Sequence, residues 1–158
     1  AGLEFTMLGG IICKDAVDLN IKIQGKLSAE PNRYLWPGAG KTNTGDVLTI
    51  QNCTRCIING GGVLDGNGVT WWDGFIMQEL THRPQLLLVL DSREVLIEHL
   101  TLQNSANGNL IFYRCTHVTV RYLDVITDRY KQRLLKTDRM IQRAREQGVW
   151  KPELKEVI

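Results

Sequence analysis

Three groups of side chains in this sequence could carry chemistry, and each predicts a different kind of site. Cys53 and Cys56 form a Cys-x-x-Cys pair, a spacing found in zinc sites and in redox-active thiols. Residues 37–42 read Pro-Gly-Ala-Gly-Lys-Thr and end in the residue types of a phosphate-binding loop. Asp128 and Asp138 are the last aspartates of the chain, and acid–base catalysis would need such carboxylates held together. Which of these sites can form depends on the elements that position them.

An internal repeat sets those positions. Strand-like segments begin at Ile11, Leu48, Leu87 and Leu110, and the apolar residues after each start follow the same spacing. The starts are 37, 39 and 23 residues apart, so the shortest interval is the bare repeat. The other two intervals carry insertions of roughly fifteen residues each. Self-similarity of this kind is typical of a solenoid, in which each unit stacks on its neighbour and buries a shared core.

Each unit consists of short strands. Apolar and polar residues alternate within segments 110–112, 118–120 and 123–125, which indicates strands with one buried face. The bare repeat has no room for the crossover helix of a βαβ unit, and no Asn-Gly or Asp-Gly turn joins adjacent strands of a repeat. The sequence therefore predicts an all-β fold, a parallel β-helix of about four to five coils.

Charge divides the chain near residue 128. Residues 1–128 carry ten Lys or Arg and thirteen Asp or Glu, a net charge of −3, whereas residues 129–158 carry nine and four, a net charge of +5. We therefore predict a β-helix domain over 1–128 and a basic helical tail over 129–158. No apolar run reaches the roughly 20 residues that a membrane span needs, and no signal peptide is visible.

The tail is predicted to be helical over residues 129–147. Tyr130, Leu134, Ile141 and Ala144 recur on one face at helical spacing, and no Gly or Pro interrupts the pattern before Gly148. The main interpretation is a cap that closes the open end of the solenoid. Two alternatives stay open: a basic helix that binds an acidic surface, and a tail unrelated to the solenoid.

The repeat favours buried thiols over a metal site. Cys53 and Cys115 share a column two coils apart, a separation near 10 Å that is too long for a disulfide. Cys56 shares an inward column with apolar residues of the other coils. A metal site formed by Cys53, Cys115 and His117 is the alternative, and we predict no metal and no cofactor. The three histidines, His82, His99 and His117, are expected to lie in solvent.

The phosphate-binding loop is also disfavoured. Its first glycine would fall at position 35, which is Leu35, and the residues after Thr42 do not begin a helix. We therefore predict no nucleotide site.

One set of motifs resembles a known family. Gly60-Gly-Gly-Val-Leu-Asp-Gly-Asn-Gly68 is followed by Trp71-Trp72, by Arg83-Pro84 and by Leu100-Thr-Leu-Gln-Asn-Ser105. In this order and spacing they resemble the N-terminal half of the polygalacturonases of glycoside hydrolase family 28, over about residues 11–127. Ala106 departs from the family, which usually has Pro there. The resemblance implies a right-handed parallel β-helix, an extracellular location, and hydrolysis of the α-1,4-galacturonan of pectin. It also implies a monomer that needs no cofactor and has no nucleic-acid or membrane partner.

The motif loop itself has two interpretations. Glycines from Gly60 to Gly68 permit unusual backbone conformations and close approach of neighbouring coils. Trp71, Trp72 and Phe75 are then expected to pack over the solenoid, and stacking of one Trp on a sugar is the alternative.

The catalytic motifs of the resembled family are missing from the rest of the chain. The repeat register places its Asn-Thr-Asp turn at residues 129–131, where this sequence has Arg129-Tyr130-Lys131. No Asp-Asp pair, His-Gly or Arg-x-Lys follows. Thr127-Asp128 is a weak alternative as a catalytic remnant, because Ile126 stands where Asn is needed. We therefore predict no catalytic residue in this chain.

Asn107 and Asn109 border the expected cleft in the last complete coil and are the predicted substrate-binding residues. The resemblance thus implies a pectin hydrolase that ends before its catalytic coils and is inactive alone. The alternative is a non-catalytic carbohydrate-binding or structural β-helix protein, since one fold serves both roles.

Overall fold

The computed structural model describes residues 2–38, 44–77, 79–80 and 82–148. The strands are β1 (Glu4–Met7), β2 (Ile11–Lys14), β3 (Asn20–Lys22), β4 (Lys26–Ala29), β5 (Leu48–Gln51), β6 (Thr54–Asn59), β7 (Val63–Asp65), β8 (Leu87–Leu90), β9 (Arg93–Gln103), β10 (Leu110–Tyr113) and β11 (Thr116–Ile126). The helices are a 3-10 turn at Arg33–Leu35, α1 (Val69–Ile76) and α2 (Arg129–Glu146).

A parallel sheet stacks the first strand of each successive coil. Its order is β10-β8-β5-β2, and the pairs are Ile11 with Leu48, Leu48 with Leu87, and Leu87 with Leu110. The sequence offsets aligned these same residues. The repeat frame is therefore confirmed, and with it the predicted parallel β-helix.

The second sheet wraps around a corner. It runs β1-β4-β7-β9-β6-β3, and β11 also pairs with β9. The first half of β9 pairs with β6 and its second half with β7, so the sheet turns within one strand at His99, whose φ is 51°. Segments 118–120 and 123–125, predicted as separate strands, are one strand bent at Tyr122, whose φ is 52°. A residue in the left-handed backbone conformation turns the chain here without ending the strand.

The core consists of inward columns that run from coil to coil. Ile50, Val89 and Leu102 have no exposed surface, and each fully buried aliphatic side chain stabilises the fold by about 1.5–3 kcal/mol. At the last coil the side chains of these columns become more exposed to solvent. Val125 is 56% exposed although it pairs with the fully buried Leu102 of the preceding coil.

Each coil turns its corners with residues in the left-handed region. One corner column holds Asp15, Asn52, Asp91 and Arg114, with φ between 49° and 57°, and a second holds Asp18, Arg55, Glu94 and His117, with φ between 54° and 59°. Polar bonds connect neighbouring coils along these corners. Asn52 Nδ2 donates to Asp15 Oδ1 at 2.8 Å, and Arg114 forms an ion pair with Asp91.

The two insertions pack together on the solenoid. Trp36, from the first insertion, meets Trp71 of α1 edge to face, and both are 2% exposed. Trp72 is equally buried and its Nε1 donates to Ser105 O at 3.0 Å. The packing interpretation of the two α1 tryptophans agrees with this burial, which leaves neither ring a face for stacking on a sugar. Phe75 of the same helix is 46% exposed.

The glycines of the motif loop allow a close approach of two coils. A Cβ at Gly66 would lie 2.8 Å from the backbone of Ser105, and one at Gly68 would lie 2.6 Å from Ser105 O. The backbone N–H of Gly66 donates to Gln103 O and that of Gly68 donates to Asn104 O, both at 2.8 Å. These hydrogen bonds form because the two coils lie so close together.

Helix α2 confirms the predicted helical tail, and it packs against α1. Arg139 pairs with Asp73 at 2.8 Å, and Arg143 donates to Ile76 O at 3.1 Å. On its predicted apolar face, Leu134 is 44% exposed. The cap and the domain division at residue 128 stay predictions, and residues 149–158 lie outside the described part. No helix of the described residues is long and apolar enough to cross a membrane.

Candidate functional site

The predicted substrate-binding residues lie in the turn between β9 and β10, residues 104–109, which we call the corner segment. Asn107 is exposed and Asn109 is half-buried. The corner segment directly follows the end of β9. In the preceding coil, the equivalent turn is the glycine-rich loop that follows β7. The structure therefore places both asparagines on one turn of the solenoid, as the register predicted.

Hydrogen bonds within the corner segment fix its backbone. Ser105 Oγ donates to Gly108 O at 2.7 Å and accepts from the backbone N–H of Asn107 at 3.2 Å. From the preceding coil, Gln85 Oε1 accepts the N–H of Gly108 at 2.7 Å. Ala106, which stands where the resembled family usually has Pro, is 2% exposed. The turn is thus held from inside the coil and from the coil before it.

Arg83 reaches the corner segment from the chain that precedes β8. Its Nη1 donates to Ala106 O at 2.9 Å and its Nη2 to Asn107 Oδ1 at 3.3 Å. The guanidinium lies over the ring of Phe75, with 3.9 Å from Cζ to the ring centroid. Burial lowers the pKa of the Arg83 guanidinium. Asn107 is therefore oriented by a half-buried cation.

The last coil meets the corner segment at Thr127 and Asp128. The backbone N–H of Asp128 donates to Asn104 Oδ1 at 3.1 Å, and Asn109 Nδ2 donates to Thr127 Oγ1 at 3.5 Å. Asn109 Oδ1 is buried and has no hydrogen-bond partner among the described residues. The structure thus places Asp128 beside Asn104 and Thr127 beside Asn109, and the alternative of a catalytic remnant at these two residues stays a prediction. Asp138 lies on α2.

Two carboxylates near this end of the coils, the buried Asp65 and the half-buried Asp46, are already engaged. Asp65, 3% exposed, accepts from the backbone N–H of Asn67 at 3.0 Å, from Gln103 Nε2 at 2.7 Å and from Lys26 at 3.2 Å. Asp46 Oδ1 accepts the N–H of Gln85 at 2.6 Å, and burial raises the pKa of Asp46. Both carboxylates serve to hold neighbouring coils together.

The cysteines and histidines form no metal cluster among the described residues. Cys53 and Cys56 are 1% and 0% exposed, as the buried-thiol interpretation predicted, and burial raises the pKa of Cys56 to about 12. Cys115 is half-buried. The three histidines, His82, His99 and His117, are exposed. Most of the loop at residues 37–42 lies outside the described part of the chain.

Sequence reasoning missed Arg83 as a site residue and used it only as part of a motif. Its neighbours in the chain, His82 and Pro84, carry no hint that its side chain reaches Asn107. The usable signal was the register, which places Gln85 and Gly108 at neighbouring coils 23 residues apart. A long side chain just before Gln85 can then reach the corner segment.

Residues 3–139 match the sequence profile of the family described as glycosyl hydrolases family 28. The chain belongs to glycosyl hydrolases family 28. The resemblance that the motifs of residues 60–105 indicated is therefore confirmed.

Relatives in the family are similar over most of this chain but are much longer. A polygalacturonase of Persea americana is 28% identical over 117 residues, which are 72% of this chain and 24% of that protein. Endo-xylogalacturonan hydrolase A of Aspergillus tubingensis is 29% identical over 90 residues, 57% of this chain and 22% of that protein. The chain thus spans about a quarter of the length of the curated relatives it matches.

A solved structure supports the fold independently. The crystal structure of a candidate glycosyl hydrolase from Parabacteroides merdae superposes with a TM-score of 0.50 at 18% identity. It covers 79% of this chain and 60% of the other chain. At this identity the likeness bears on the fold alone.

Proposed function

We propose that this chain is the recognition part of a pectin-degrading glycoside hydrolase, and that it binds pectic polysaccharide at the corner segment without hydrolysing it. The observation that carries the proposal is the side chain of Asn107, which is exposed to ligand yet held by Arg83 on a fixed backbone. Membership in family 28 and the named relatives supply the substrate class.

The corner segment has the properties of a pre-organised polar site. Its backbone is already bonded through Ser105 and Gln85, so ordering it costs little when a ligand binds. Amide side chains can donate to and accept from sugar hydroxyls. Asn109 borders this site and is held against the last coil through Thr127, but its Oδ1 is buried, so Asn107 presents the accessible amide of the segment. These groups support binding of a hydroxyl-rich ligand.

The same segment does not supply paired acids. Glycoside hydrolysis uses two carboxyl groups, about 5–5.5 Å apart in retaining enzymes and about 6.5–9.5 Å apart in inverting ones. Asp65 is already bonded to Lys26 and Gln103, and Asp46 to the backbone of Gln85. Hydrolysis by the chain of 158 residues is therefore not expected.

The second candidate function is a non-catalytic carbohydrate-binding or structural β-helix protein. The exposed Asn107 favours binding over a purely structural role, because a structural turn needs no accessible amide. Pectic polymers are cell-wall components, so the proposed function implies action outside the cell.

Affinity electrophoresis tests the binding part of the proposal. Migration of the purified chain should slow in gels that contain polygalacturonate and stay unchanged in gels with a neutral polysaccharide. Asn107→Ala should weaken the retardation constant about fivefold, the usual weight of one hydrogen bond. Asn20→Ala is the matched control, since Asn20 is an exposed asparagine on β3. Equal retardation of both variants and the unmodified chain would contradict the proposed site.

A reducing-sugar assay on polygalacturonate tests the other part. The chain should release no reducing ends above the buffer. Turnover that disappears in Asp128→Asn or Asp138→Asn would contradict the proposal and show an active site near α2.

A further inference from the structure

Arg83 differs from the other arginines of the β-helix in what balances its charge. Arg55 pairs with Asp18, Arg114 with Asp91 and Arg121 with Glu98, each across neighbouring coils. The partners of Arg83 are the carbonyl oxygen of Ala106, the amide oxygen of Asn107 and the ring of Phe75, all neutral. Within residues 2–38, 44–77, 79–80 and 82–148, no carboxylate lies within ion-pair distance of Arg83.

Burial makes this lack of a counter-charge costly. Arg83 is half-buried, and desolvation by burial is the cause that lowers the pKa of its guanidinium. For Arg55, Arg114 and Arg121, hydrogen bonds to a carboxylate raise the pKa instead. A cation that is partly desolvated and has only neutral partners gains more than a paired one when an anion arrives.

The geometry leaves donors for such an anion. A guanidinium has five N–H groups in a planar fork, and the two contacts of Arg83 with the corner segment use two of them. The fork matches a carboxylate, which accepts two parallel hydrogen bonds. The longer of the two existing contacts, 3.3 Å to Asn107, joins Arg83 to the exposed amide of the proposed binding site.

We propose that Arg83 is a specificity residue that binds a carboxylate group of an acidic sugar held at the corner segment. The class of ligand is a uronate-containing oligosaccharide, and its neutral methyl ester is the form that the site discriminates against. That the carboxylate belongs to a sugar of this class rests on the proposed function. The existence of a carboxylate site at Arg83 rests only on the contacts and the charge described above.

A purely structural role is the competing explanation. The bond from Arg83 to Ala106 O and the contact with Phe75 also anchor the corner segment to α1. An anchor would affect the acidic ligand and its ester equally, whereas a carboxylate site affects only the acid. The discriminating quantity is therefore the ratio of the two dissociation constants.

The experiment uses the chain of 158 residues labelled with nitrogen-15 and follows the Nε–Hε signal of Arg83 by NMR. Trigalacturonate, its fully methyl-esterified form and sodium acetate are titrated separately at constant ionic strength. The acid should bind at least about tenfold more tightly than the ester, as a charge-assisted hydrogen bond implies. The Arg83 signal should move with the acid and with acetate, and stay in place with the ester.

Variants separate charge from structure. Arg83→Gln should lose the preference for the acid, and Arg83→Lys should keep part of it because the charge remains without the fork. Arg121→Gln is the control, since it removes an arginine whose charge is already paired with Glu98. Circular dichroism and thermal melts check that each variant folds. The titration of the unmodified chain decides the question even if Arg83→Gln fails to fold.

The outcomes for the two proposals are distinct. Binding of acid and ester with equal affinity, with shifts at Asn107 and none at Arg83, would overturn the inference and leave the proposed function standing. A saturable Arg83 shift with acetate and no binding of trigalacturonate would support the carboxylate site and overturn the proposed function. An Arg83 signal that responds to no carboxylate would overturn the inference.

Discussion

The indole rings of Trp36 and Trp71 meet edge to face, with centroids 5.3 Å apart and planes at 82°. This contact joins the two insertions that lengthen the repeat, and it holds α1 against the solenoid beside the corner segment. Edge-to-face pairs contribute about 0.5–1.5 kcal/mol beyond the area they bury. Trp71 and Phe75 both belong to α1, so the position of Phe75 under the guanidinium of Arg83 depends on this packing.

The two tryptophans of α1 should respond differently to the same substitution. Trp72 Nε1 donates to Ser105 O, whereas Trp71 Nε1 is buried without a partner among the described residues. Trp72→Phe leaves the Ser105 carbonyl without this donor, and Trp71→Phe removes an unsatisfied donor. We expect Trp72→Phe to lower the free energy of unfolding by about 1–3 kcal/mol more than Trp71→Phe. Urea unfolding measures both, and equal losses would contradict the assignment.

Glu94 should be a site where a substitution stabilises the fold. It holds φ at 57°, a conformation that costs most non-glycine residues about 1–2 kcal/mol and that asparagine adopts more readily. We expect Glu94→Asn to raise the free energy of unfolding by about 0.5–1 kcal/mol. Arg93→Asn is the matched control, because it removes the same surface ion pair at a residue of the same strand that does not have a positive φ. It should not stabilise the fold. Stabilisation by both variants would point to charge instead of backbone conformation.

The ion pair between Asp73 and Arg139 should attach α2 to α1 in a pH-dependent way. Hydrogen bonds from Arg139 are the main cause that lowers the pKa of Asp73 from 3.8. A lowered carboxylate pKa stabilises the fold fully above pH 3.8, and this contribution is lost as the pH falls through the lower folded value. The pair is partly exposed, so we expect a small favourable coupling at neutral pH.

A double-mutant cycle with Asp73→Asn and Arg139→Gln measures that coupling. Urea unfolding at neutral pH should give a positive coupling that shrinks as the pH is lowered below 3.8. A coupling that stays constant over this range would show that the two residues do not interact through charge.

The cysteines should differ in reactivity. Burial raises the pKa of Cys56 to about 12, so at pH 8 its reactive thiolate is rare as well as inaccessible. Cys13 and Cys115 are half-buried and should react first with iodoacetamide, as mass spectrometry of the intact chain and its peptides would show. Cys53 and Cys56 should react only after unfolding. Early labelling of Cys56 would contradict the packing of this column.

The fold could be predicted because the repeat makes its own register visible. The residue that pairs with Leu87 in the structure is the one that stands 23 positions later, Leu110. Local alternation then assigned the inward face of each strand. The parallel β-helix could therefore be predicted from the spacing of the repeat, because that spacing shows which residues pair between coils.

The insertions could not be predicted in the same way. Helix α1 is short and contains Gly74, and it forms because Trp71 and Trp72 pack on the solenoid and not because of local helix propensity. Its partner Trp36 lies 35 residues earlier in another insertion, where no repeat aligns it. For the site, the register predicted that Asn107 and Asn109 lie on one turn, and their role in binding stays a prediction. The unbalanced charge of Arg83 depends on its three-dimensional neighbours and was missed.

The central claim is that the corner segment recognises a pectic oligosaccharide and does not cleave it. The most direct test is one NMR experiment on the nitrogen-15 chain with trigalacturonate, which follows the side-chain amides of Asn107 and Asn109 and, in the same tube, the anomeric protons of the sugar. We predict that both amide signals shift saturably while the intensity of the reducing-end anomeric protons stays constant over a day. Binding that leaves both amides unmoved, no binding at all, or a growing reducing-end signal would contradict the claim.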